Sequence, residues 1–309
     1  MNSPLISIIT PSYNQGQFIR RTIDSVLTQD YSNIEYWVID GGSTDDTVAI
    51  LKEYDHDPRF HWISEPDKGQ SDAINKGLAK VSGEIFAWLN SDDVYSSEAL
   101  NKVAEYWMTA QKPVILYGLC RFIDENDNDL GPTPGQSRSM NLDKILQFGR
   151  FFLPQPSVFC PLHTVREIGG VDINLHYTMD LALWIRLANN LPIVHIPHEL
   201  AHYRLHSTSK TCALSTKFIE DTKKVFISVA EQGILNKNRA LARSDLFAAT
   251  VYLTPEAKNF RLALSHISSA LNNDFSVFSE VFLIVAKAFA RSCFGDKLWR
   301  ELRFLRSRY

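Results

Sequence analysis

The chain has 309 residues, of which 45% are hydrophobic and 22% are charged, as in an ordinary globular protein with enough apolar material for a sizeable core. A formal net charge of -3 argues against nucleic acid as a partner. The cysteines lack the spacing of a zinc site or a disulfide framework, so we expect reduced thiols in a reducing compartment. No apolar run predicts a secretory leader or a membrane-spanning helix.

Strand and helix patterns alternate along the first hundred residues. Short apolar runs predict four buried strands, at residues 5–10, 34–40, 60–64 and 85–89. Helical spacing of apolar residues follows each of the first three runs, and Ser43 or Thr44 is predicted to cap the second helix. This order predicts a parallel sheet that is covered by helices.

Polar clusters follow three of these strands, at residues 11–14, 40–43 and 90–93. Because ligands bind outside the carboxyl ends of the strands in open α/β sheets, we expect the three clusters to form one site. The last cluster contains Asp92 and Asp93. Mg²⁺ and Mn²⁺ prefer oxygen ligands and often bridge a carboxylate to a diphosphate, although this pair could also serve as a helix N-cap.

The remaining two-thirds of the chain changes character at about residue 210. Before that point the pattern is mixed, with a strand at residues 114–117 and a helix at residues 179–189. The acidic run at residues 124–129 lacks the glycine and the terminal glutamate of a calcium loop, which favours a solvated turn. From residue 211 onward the spacing is helical and basic residues outnumber acidic ones.

Four segments resemble glycosyltransferase family 2 and occur in that family's order: SIITPSYN at 7–14, VIDGGSTD at 38–45, DKGQSDAINKG at 67–77 and LNSDD at 89–93. The resemblance implies a GT-A-type α/β fold, a Rossmann-like and mostly parallel sheet flanked by helices. It implies a glycosyltransferase domain over residues 1–207, with a donor-binding half to about residue 110 and an acceptor half from about residue 111. A helical C-terminal region follows at residues 208–309.

The resemblance also implies roles in binding a nucleotide-sugar donor, with a UDP-sugar favoured. Pro11 and Tyr13 would line the base and ribose pocket, and Asp40 would accept a hydrogen bond from the nucleobase. The family's common Asp-Asp-Gly-Ser is Asp-Gly-Gly-Ser at residues 40–43, so one acidic group is absent. The other residues implied in donor binding are Thr10, Lys68, Asp72, Asn90, Ser91 and Arg204.

The family commonly carries an Asp-x-Asp metal motif, and Asn90 stands at its first position here. The resemblance therefore implies Asp92 as the principal ligand of a divalent metal, Mn²⁺ or Mg²⁺. The segment YRLHS at 203–207 is similar to the family's Tyr-Arg-x-His segment. It implies that His206 completes the metal shell, or that His206 and Arg204 hold the diphosphate. A purely structural histidine is the alternative.

The segments GGVD at 169–172, YTMD at 177–180 and LWIRL at 183–187 resemble the family segment in which a carboxylate opens a helix and acts as catalytic base. Many members have Glu-Asp there. Met179 replaces the first of these, so Asp180 is the implied catalytic base. A helix cap is the alternative role for this residue.

Together these features predict an inverting glycosyltransferase that moves a sugar onto a glycan or lipid-linked acceptor in cell-surface polysaccharide synthesis. The expected location is cytoplasmic, with a peripheral position at the inner face of the membrane as one variant. A metal-dependent nucleotidyltransferase is a second hypothesis, but residues 11–15 are not the Gly-rich basic loop usual in such enzymes. A non-catalytic sugar-nucleotide-binding module is a third, and the retained carboxylates Asp40, Asp92 and Asp180 argue against it.

The C-terminal stretch from Lys287 onward concentrates positive charge among aromatic residues. A basic helix with aromatic anchors predicts contact with an anionic membrane, whereas a solvated helical face is the alternative. The candidate anchors are Phe289, Phe294, Trp299 and Phe304. Their five-residue spacing spreads them around a helix instead of along one stripe.

Overall fold

A computed structural model describes residues 3–110, 113–207, 209, 216–254 and 257–289. The chain forms two compact units that divide between Ala213 and Leu214. The described strands of the first unit are β1 (Ile6–Ser12), β2 (Ile34–Asp40), β3 (Phe60–Ser64), β4 (Ile85–Trp88), β5 (Val94–Tyr95), β6 (Ile115–Ile123), β7 (Asp129–Pro132), β8 (Val158–Pro161) and β9 (Ile193–Arg204). Its described α-helices are α1 (Ile19–Leu27), α2 (Thr47–Glu53), α3 (Gln70–Leu78), α4 (Ala99–Thr109), α5 (Leu142–Ile145), α6 (Leu162–Glu167) and α7 (Met179–Ala188).

The four strands predicted in the first hundred residues are parallel neighbours in the order β3-β2-β1-β4. The side chains of β1 and β4 are buried on both faces, as expected when helices cover both sides of a sheet, whereas the edge strand β3 is only partly buried. The register aligns Ser12 with Asp40 and Asp40 with Ser64. β4 lies parallel to β1, with Trp88 aligned with Ile9. The carboxyl ends of β1, β2 and β4, which the three polar clusters follow, therefore lie at one edge of the sheet.

The other half of the sheet is mixed. β8 runs antiparallel between β4 and β6, β9 is parallel to β6, and β5 and β7 pair antiparallel with β9 and β6. The sequence placed a strand at residues 114–117, but β6 continues to Ile123. Gly118 permits this continuation because its missing side chain leaves room for Leu200 of β9 to pack across the strand.

One hydrophobic core spans both halves of the sheet and includes Ile8, Val38, Ala87, Leu116 and Phe159, none more than 1% exposed. Burying each large aliphatic or aromatic side chain contributes about 1.5–3 kcal/mol. The helix α1 faces this core with residues spaced three and four apart, as its sequence pattern predicts. The core thus fixes β1, β2 and β4 as one rigid body beneath the strand ends.

Two local expectations meet different outcomes. The helix α2 begins at Thr47, and Asp46 before it makes no side-chain cap, so the prediction of Ser43 or Thr44 as the cap is wrong. Ser43 donates to Asp40 instead, because the loop is built around that carboxylate. The polar run 124–129 does contain a turn, with Asp124 Oδ1 accepting the N–H groups of residues 126 and 128.

The second unit is helical over its described residues. It contains α8 (Thr216–Glu231), α9 (Lys237–Tyr252), α10 (Phe260–Asn273), a 3-10 turn (Phe275–Val277) and a last helical stretch at 278–289. Ala242, Ala249, Ile267, Ala270 and Val277 belong to its own buried cluster. The predicted tail anchors Phe294, Trp299 and Phe304 lie outside the described residues. Within the described part of the chain, no helix combines the length and apolarity needed to span a bilayer.

Candidate active site

The loops after β1 and β2 are locked together by hydrogen bonds. The Asn14 N–H donates to Ser43 Oγ at 2.7 Å, and the Thr44 N–H donates to Asn14 Oδ1 at 2.9 Å. Asn14 adopts a left-handed backbone (φ 51°), which asparagine tolerates better than most residues. The two loops therefore form one preorganised surface at the carboxyl edge of the sheet.

The buried carboxylate of Asp40 stabilises this surface through hydrogen bonds. It is fully buried and accepts hydrogen bonds from the N–H groups of Gly42 and Ser43 and from the hydroxyls of Ser43 and Ser64. Four donors on one carboxylate account for its burial as a polar group. In this structure Asp40 shapes the loop, and its direct contact with a nucleobase stays a prediction.

A carboxylate that received no role from the sequence lies beside the loop. Gly41 brings its backbone so close to Asp67 that a Cβ built on Gly41 would stand 2.7 Å from Asp67 Oδ2. The Asp67 side chain is partly exposed, and its Oδ1 accepts the Gly69 N–H at 2.7 Å. The two positions are 26 residues apart in sequence. The absence of an acidic residue at position 41 therefore gave no sign that the carboxylate of Asp67 lies beside that position.

Asn90 fastens the end of β4 to its surroundings. Its Oδ1 accepts from Gln70 at 2.7 Å, and its Nδ2 donates to Asp93 Oδ2 at 3.1 Å and to Gln155 Oε1 at 3.0 Å. Gln155 in turn donates to the Trp88 carbonyl at 2.6 Å. The Asn90 amide is thus engaged by protein groups, and the structure gives it a positioning role at the strand end.

Asp92 and His206 meet, as the sequence predicted for two metal ligands. His206 Nε2 lies 2.9 Å from Asp92 Oδ2, and the Asp92 side chain is 22% exposed while that of His206 is 5% exposed. The ring of His206 also packs on Phe18 at 4.6 Å between centroids. These two side chains come from segments 114 residues apart, so the contact is a product of the fold.

Arg204 is oriented differently from the prediction. It is fully buried, Nη2 lies 2.6 Å from Asp127 Oδ1, and Nε donates to the Asp92 carbonyl at 2.7 Å. Its guanidinium also stacks over Phe18 at 5.2 Å and donates to the Asp124 carbonyl at 2.8 Å. The prediction of a direct diphosphate contact by Arg204 is therefore not met in this structure, because the guanidinium is enclosed by the turn at residues 124–129.

The second member of the acidic pair, Asp93, points into the protein. It is 1% exposed and accepts the Arg204 N–H at 2.8 Å. Burial, followed by the neighbouring Asp92 charge, raises the pKa of Asp93 well above its usual range. The pair is thus divided, with Asp92 partly open to solvent and Asp93 serving as an internal hydrogen-bond acceptor.

Asp180 opens α7 beside an apolar pocket. The pocket is lined by Asp180 and by Phe148, Phe151, Phe152, Leu153 and Trp184. Burial raises the pKa of the Asp180 carboxyl to about 6, although hydrogen bonds from backbone N–H groups lower it. A carboxylate with a pKa near neutrality suits a general base.

Packing joins the Asp180 region to the end of β4. Trp184 of α7 stacks on Trp88 of β4 with ring centroids 5.7 Å apart. Leu153 lines the Asp180 pocket, and Gln155 two residues later holds Asn90. The Trp184–Trp88 stacking and the segment from Leu153 to Gln155 therefore attach both Asp180 and the residues after β4 to the same rigid sheet.

The other predicted donor residues differ in how they face the site. Tyr13 is 59% exposed, and Lys68 is exposed on the loop before α3. Thr10 is fully buried and its hydroxyl lies 2.9 Å from Tyr36 Oη, so its side chain does not reach the site. Asp72 accepts the Lys68 N–H at 3.1 Å in the first turn of α3. The remaining two, Pro11 and Ser91, are buried.

Asp92 and His206 could hold a divalent cation whose other coordination positions are filled by phosphate oxygens and water. Among the described residues, no group of three or more His, Cys, Asp or Glu side chains converges as a metal site. Mg²⁺ and Mn²⁺ are commonly held by one or two protein groups together with phosphate oxygens and water. The carboxylate of Asp92 is a suitable ligand of this kind, and the imidazole of His206 beside it would add a nitrogen ligand that Mn²⁺ accepts more readily than Mg²⁺.

Sequence comparison relates the chain to one protein family and to individual glycosyltransferases. A sequence profile of Glycosyl transferase family 2 matches residues 7–163. An uncharacterized glycosyltransferase of Rickettsia prowazekii (strain Madrid E) is 27% identical over 290 residues, covering 90% of each chain.

Two solved structures share the architecture at low sequence identity. S. aureus TarS 1-349 in complex with UDP-GlcNAc has a TM-score of 0.63 and 15% identity, covering 87% of this chain and 81% of that 1-349 chain. The mannosyltransferase PcManGT of Pyrobaculum calidifontis, in complex with GDP-Man and Mn²⁺, has a TM-score of 0.57 and 14% identity, covering 89% of this chain and 88% of the PcManGT chain. The fold is therefore of the GT-A type. With the profile match over half of its length, the chain belongs to glycosyl transferase family 2 and is a glycosyltransferase.

Proposed function

We propose that this glycosyltransferase transfers a sugar from a UDP-sugar to a lipid-linked or glycan acceptor with inversion at the anomeric carbon. The observation that carries the proposal is the contact between Asp92 and His206 at the carboxyl edge of the sheet, 2.9 Å apart and open to solvent on the Asp92 side. TarS binds UDP-GlcNAc on the same fold, which supports a nucleotide-sugar donor here.

Asp92 and His206 are the groups that would hold a divalent cation, Mn²⁺ or Mg²⁺, as suggested by the Mn²⁺ complex of PcManGT. When bound, such a cation neutralises charge on a departing diphosphate. Asp93 and Arg204 support Asp92 from the protein side, since Asp93 accepts the Arg204 N–H and Arg204 Nε donates to the Asp92 carbonyl. These hydrogen bonds fix the backbone of Asp92, the proposed metal ligand.

Asp67 and the interlocked loops after β1 and β2 form the proposed base pocket. The Asp67 carboxylate adjoins Gly41 and can accept a hydrogen bond from the imide N–H of uracil. It thereby supplies the acidic group that the family's pattern has at position 41. Tyr13, with its exposed ring, is the proposed wall against base or ribose.

Asp180 is the proposed catalytic base. Its carboxylate would take the proton of the acceptor hydroxyl while that oxygen attacks the anomeric carbon opposite the leaving diphosphate. One displacement of this kind inverts the anomeric configuration and needs no covalent sugar–protein intermediate. The pKa of about 6 leaves Asp180 mostly ionised at pH 7.

The acceptor and the cellular setting follow from the surroundings of Asp180 and from the thiols. Aromatic and apolar side chains surround Asp180, and on that ground the proposed acceptor has an apolar portion, such as a lipid-linked sugar in cell-surface polysaccharide synthesis. Cys120 and Cys160 are buried free thiols, which is typical of a reducing compartment. We therefore place the proposed reaction in the cytoplasm, with an acceptor presented at the inner face of the membrane.

The direct test is product analysis with UDP-sugars in the presence of Mn²⁺ or Mg²⁺. We expect release of UDP that depends on the metal, whereas pyrophosphate release would indicate nucleotidyl transfer. Asp92→Ala is expected to abolish turnover and metal-dependent UDP binding, because the diphosphate loses its bridge. Asp30→Ala, at an exposed loop position, is the matched control and should retain both. Wild-type turnover by Asp92→Ala with the metal chelated would refute the metal assignment.

A further inference from the structure

Two of the segments singled out in the sequence, 67–77 and 169–172, meet in the fold at residues that have no role so far. Asn75 of α3 bridges both backbone groups of Val171. Its Nδ2 donates to the Val171 carbonyl at 2.7 Å, and its Oδ1 accepts the Val171 N–H at 2.9 Å. Val171 belongs to residues 168–178, here named the base loop because they lead into Asp180 at the start of α7. One side chain thus attaches the base loop to α3.

A second hydrogen bond on the same helical face continues this attachment. The Ser71 hydroxyl donates to the Leu175 carbonyl at 2.9 Å, and Ser71 precedes Asn75 by one helical turn. Gly170 makes the fit close, since a Cβ built there would stand 2.6 Å from Asn75 Oδ1, and its φ of 68° is one that glycine adopts without strain. The base loop is therefore held along α3 as far as Leu175, five residues before Asp180.

The base loop is also bonded to α7 itself. Arg186, in the last turn of that helix, donates from Nη1 to the Ile168 carbonyl at 2.8 Å and from Nη2 to the Gly170 carbonyl at 2.5 Å. Asp180 lies in the first turn of the same helix. The base loop thus contacts both ends of α7, so a change in its position is transmitted to the Asp180 carboxylate.

The helix α3 supports the proposed nucleotide site as well. It follows directly on the loop that carries Asp67 and Lys68, and Gln70 in its first turn donates to Asn90 after β4 at 2.7 Å. The proposed donor contacts and the proposed base therefore depend on one helix. In-line attack needs the base and the departing diphosphate on opposite sides of the anomeric carbon, and a misplacement of about 1 Å can lower a rate about a hundredfold.

We propose that Asn75 is a positioning residue that sets where the Asp180 carboxylate stands relative to the bound nucleotide-sugar, through its two hydrogen bonds with Val171. The inference rests on the proposed function, in which Asp180 is the base. Asn75 acts on the reaction through the backbone of the base loop. Ser71 contributes the smaller share, since it makes one hydrogen bond to the loop instead of two.

The test compares kcat per folded molecule for the full chain, with the UDP-sugar and acceptor that product analysis identifies. We expect Asn75→Ala to lower kcat at least about tenfold, because the base is misplaced. The KM for the UDP-sugar and the Kd of UDP with Mn²⁺ should change less than about twofold, because the donor contacts remain. Ser71→Ala should lower kcat about threefold, and it tests the same attachment if Asn75→Ala does not fold.

The matched control is Tyr31→Phe. It removes another buried side-chain-to-backbone hydrogen bond, from the Tyr31 hydroxyl to the Pro4 carbonyl at 2.5 Å, just before β2 and away from the base loop. Its kcat per folded molecule should equal that of the parent chain even where its stability falls. A loss of kcat in Tyr31→Phe as large as that in Asn75→Ala would show a general effect of weakened packing and overturn the proposal.

A double-mutant cycle with Asp180→Asn separates positioning of the base from other effects. If Asn75 acts through Asp180, adding Asn75→Ala to Asp180→Asn lowers kcat no further. An equal further loss in that background overturns the proposal, as does a parent-like kcat in both Asn75→Ala and Ser71→Ala. Failure of the proposed function looks different, because Asp180→Asn alone would then keep the parent kcat, which would refute the base and this inference together.

Discussion

At the scale of single residues, Asp180 combines a proposed catalytic role with a thermodynamic disadvantage. Burial raises its pKa in the folded protein from the ordinary value of 3.8 to about 6. Above pH 6 the carboxylate is charged in both folded and unfolded states, and its burial destabilises the fold. Below that pH the folded state takes up the proton first, so the destabilisation is relieved as the pH falls toward 4.

Asp180→Asn separates these two effects. We expect kcat to fall roughly 10²-fold, the usual contribution of a positioned general base. At about 1.4 kcal/mol per pKa unit, the neutral amide should stabilise the fold at pH 7.5 by up to about 3 kcal/mol, with little gain near pH 4. The parent rate should rise with pH through about 6. Denaturant unfolding and a pH–rate profile measure these outcomes, and an unchanged kcat would move the base elsewhere.

Gly41 tests the proposed base pocket. In Gly41→Ala the new methyl would stand 2.7 Å from Asp67 Oδ2, which is too close, so the carboxylate must move. We expect a KM for the UDP-sugar about tenfold higher with a smaller change in kcat, because one donor contact is displaced.

The control for that experiment is a double-mutant cycle with Asp67→Ala. If the methyl acts by displacing the carboxylate, adding Gly41→Ala to Asp67→Ala should raise KM no further. Two independent increases that add would show that Gly41→Ala acts through the loop backbone and not through Asp67.

At the scale of elements, the turn between β6 and β7 is a support for the site, and the sequence could not reveal this. The run 124–129 was predicted as a solvated turn on composition alone. In the fold Asp127 meets both Arg21 of α1, at 2.7 Å, and buried Arg204 at the end of β9. These pairings depend on residues 75 or more positions away, and no local pattern encodes them.

Asp127→Ala leaves the Arg204 guanidinium buried without its carboxylate. We expect a loss of about 1–3 kcal/mol in unfolding free energy, because the fully buried guanidinium of Arg204 loses the carboxylate that compensates its charge, while the Asp127 side chain itself is 45% exposed. Asp129→Ala, two residues later, removes an exposed pair with Arg121 and should cost less than about 1 kcal/mol. Urea denaturation of both variants measures the difference, and equal losses would contradict the supporting role of Asp127.

At the scale of the whole molecule, the sequence was most informative where local and global preferences agree. Segments of five to seven residues rich in apolar side chains predicted β1 to β4 and their carboxyl-edge site, because buried parallel strands are rich in such side chains. The four-residue β8 was missed, since so short a run has no periodicity to recognise. Side-chain direction was harder to foresee. Arg204 and Thr10 belong to the right segments, yet tertiary packing turns one toward Asp127 and the other toward Tyr36.

The site residues all belong to the unit that ends at Ala213, whereas the helices at residues 216–289 belong to the other unit. Hydrogen exchange can follow both at once. With UDP and Mn²⁺ at about 100 times Kd, we expect strong protection at residues 41–43 and 90–93, consistent with a ligand stabilisation of about 2.7 kcal/mol. Residues 260–289 should exchange at an unchanged rate. Chelating the metal should remove the effect at 90–93, because Asp92 and His206 would contact the diphosphate through the cation. Protection of 90–93 by UDP alone would mean that this segment binds the nucleotide directly.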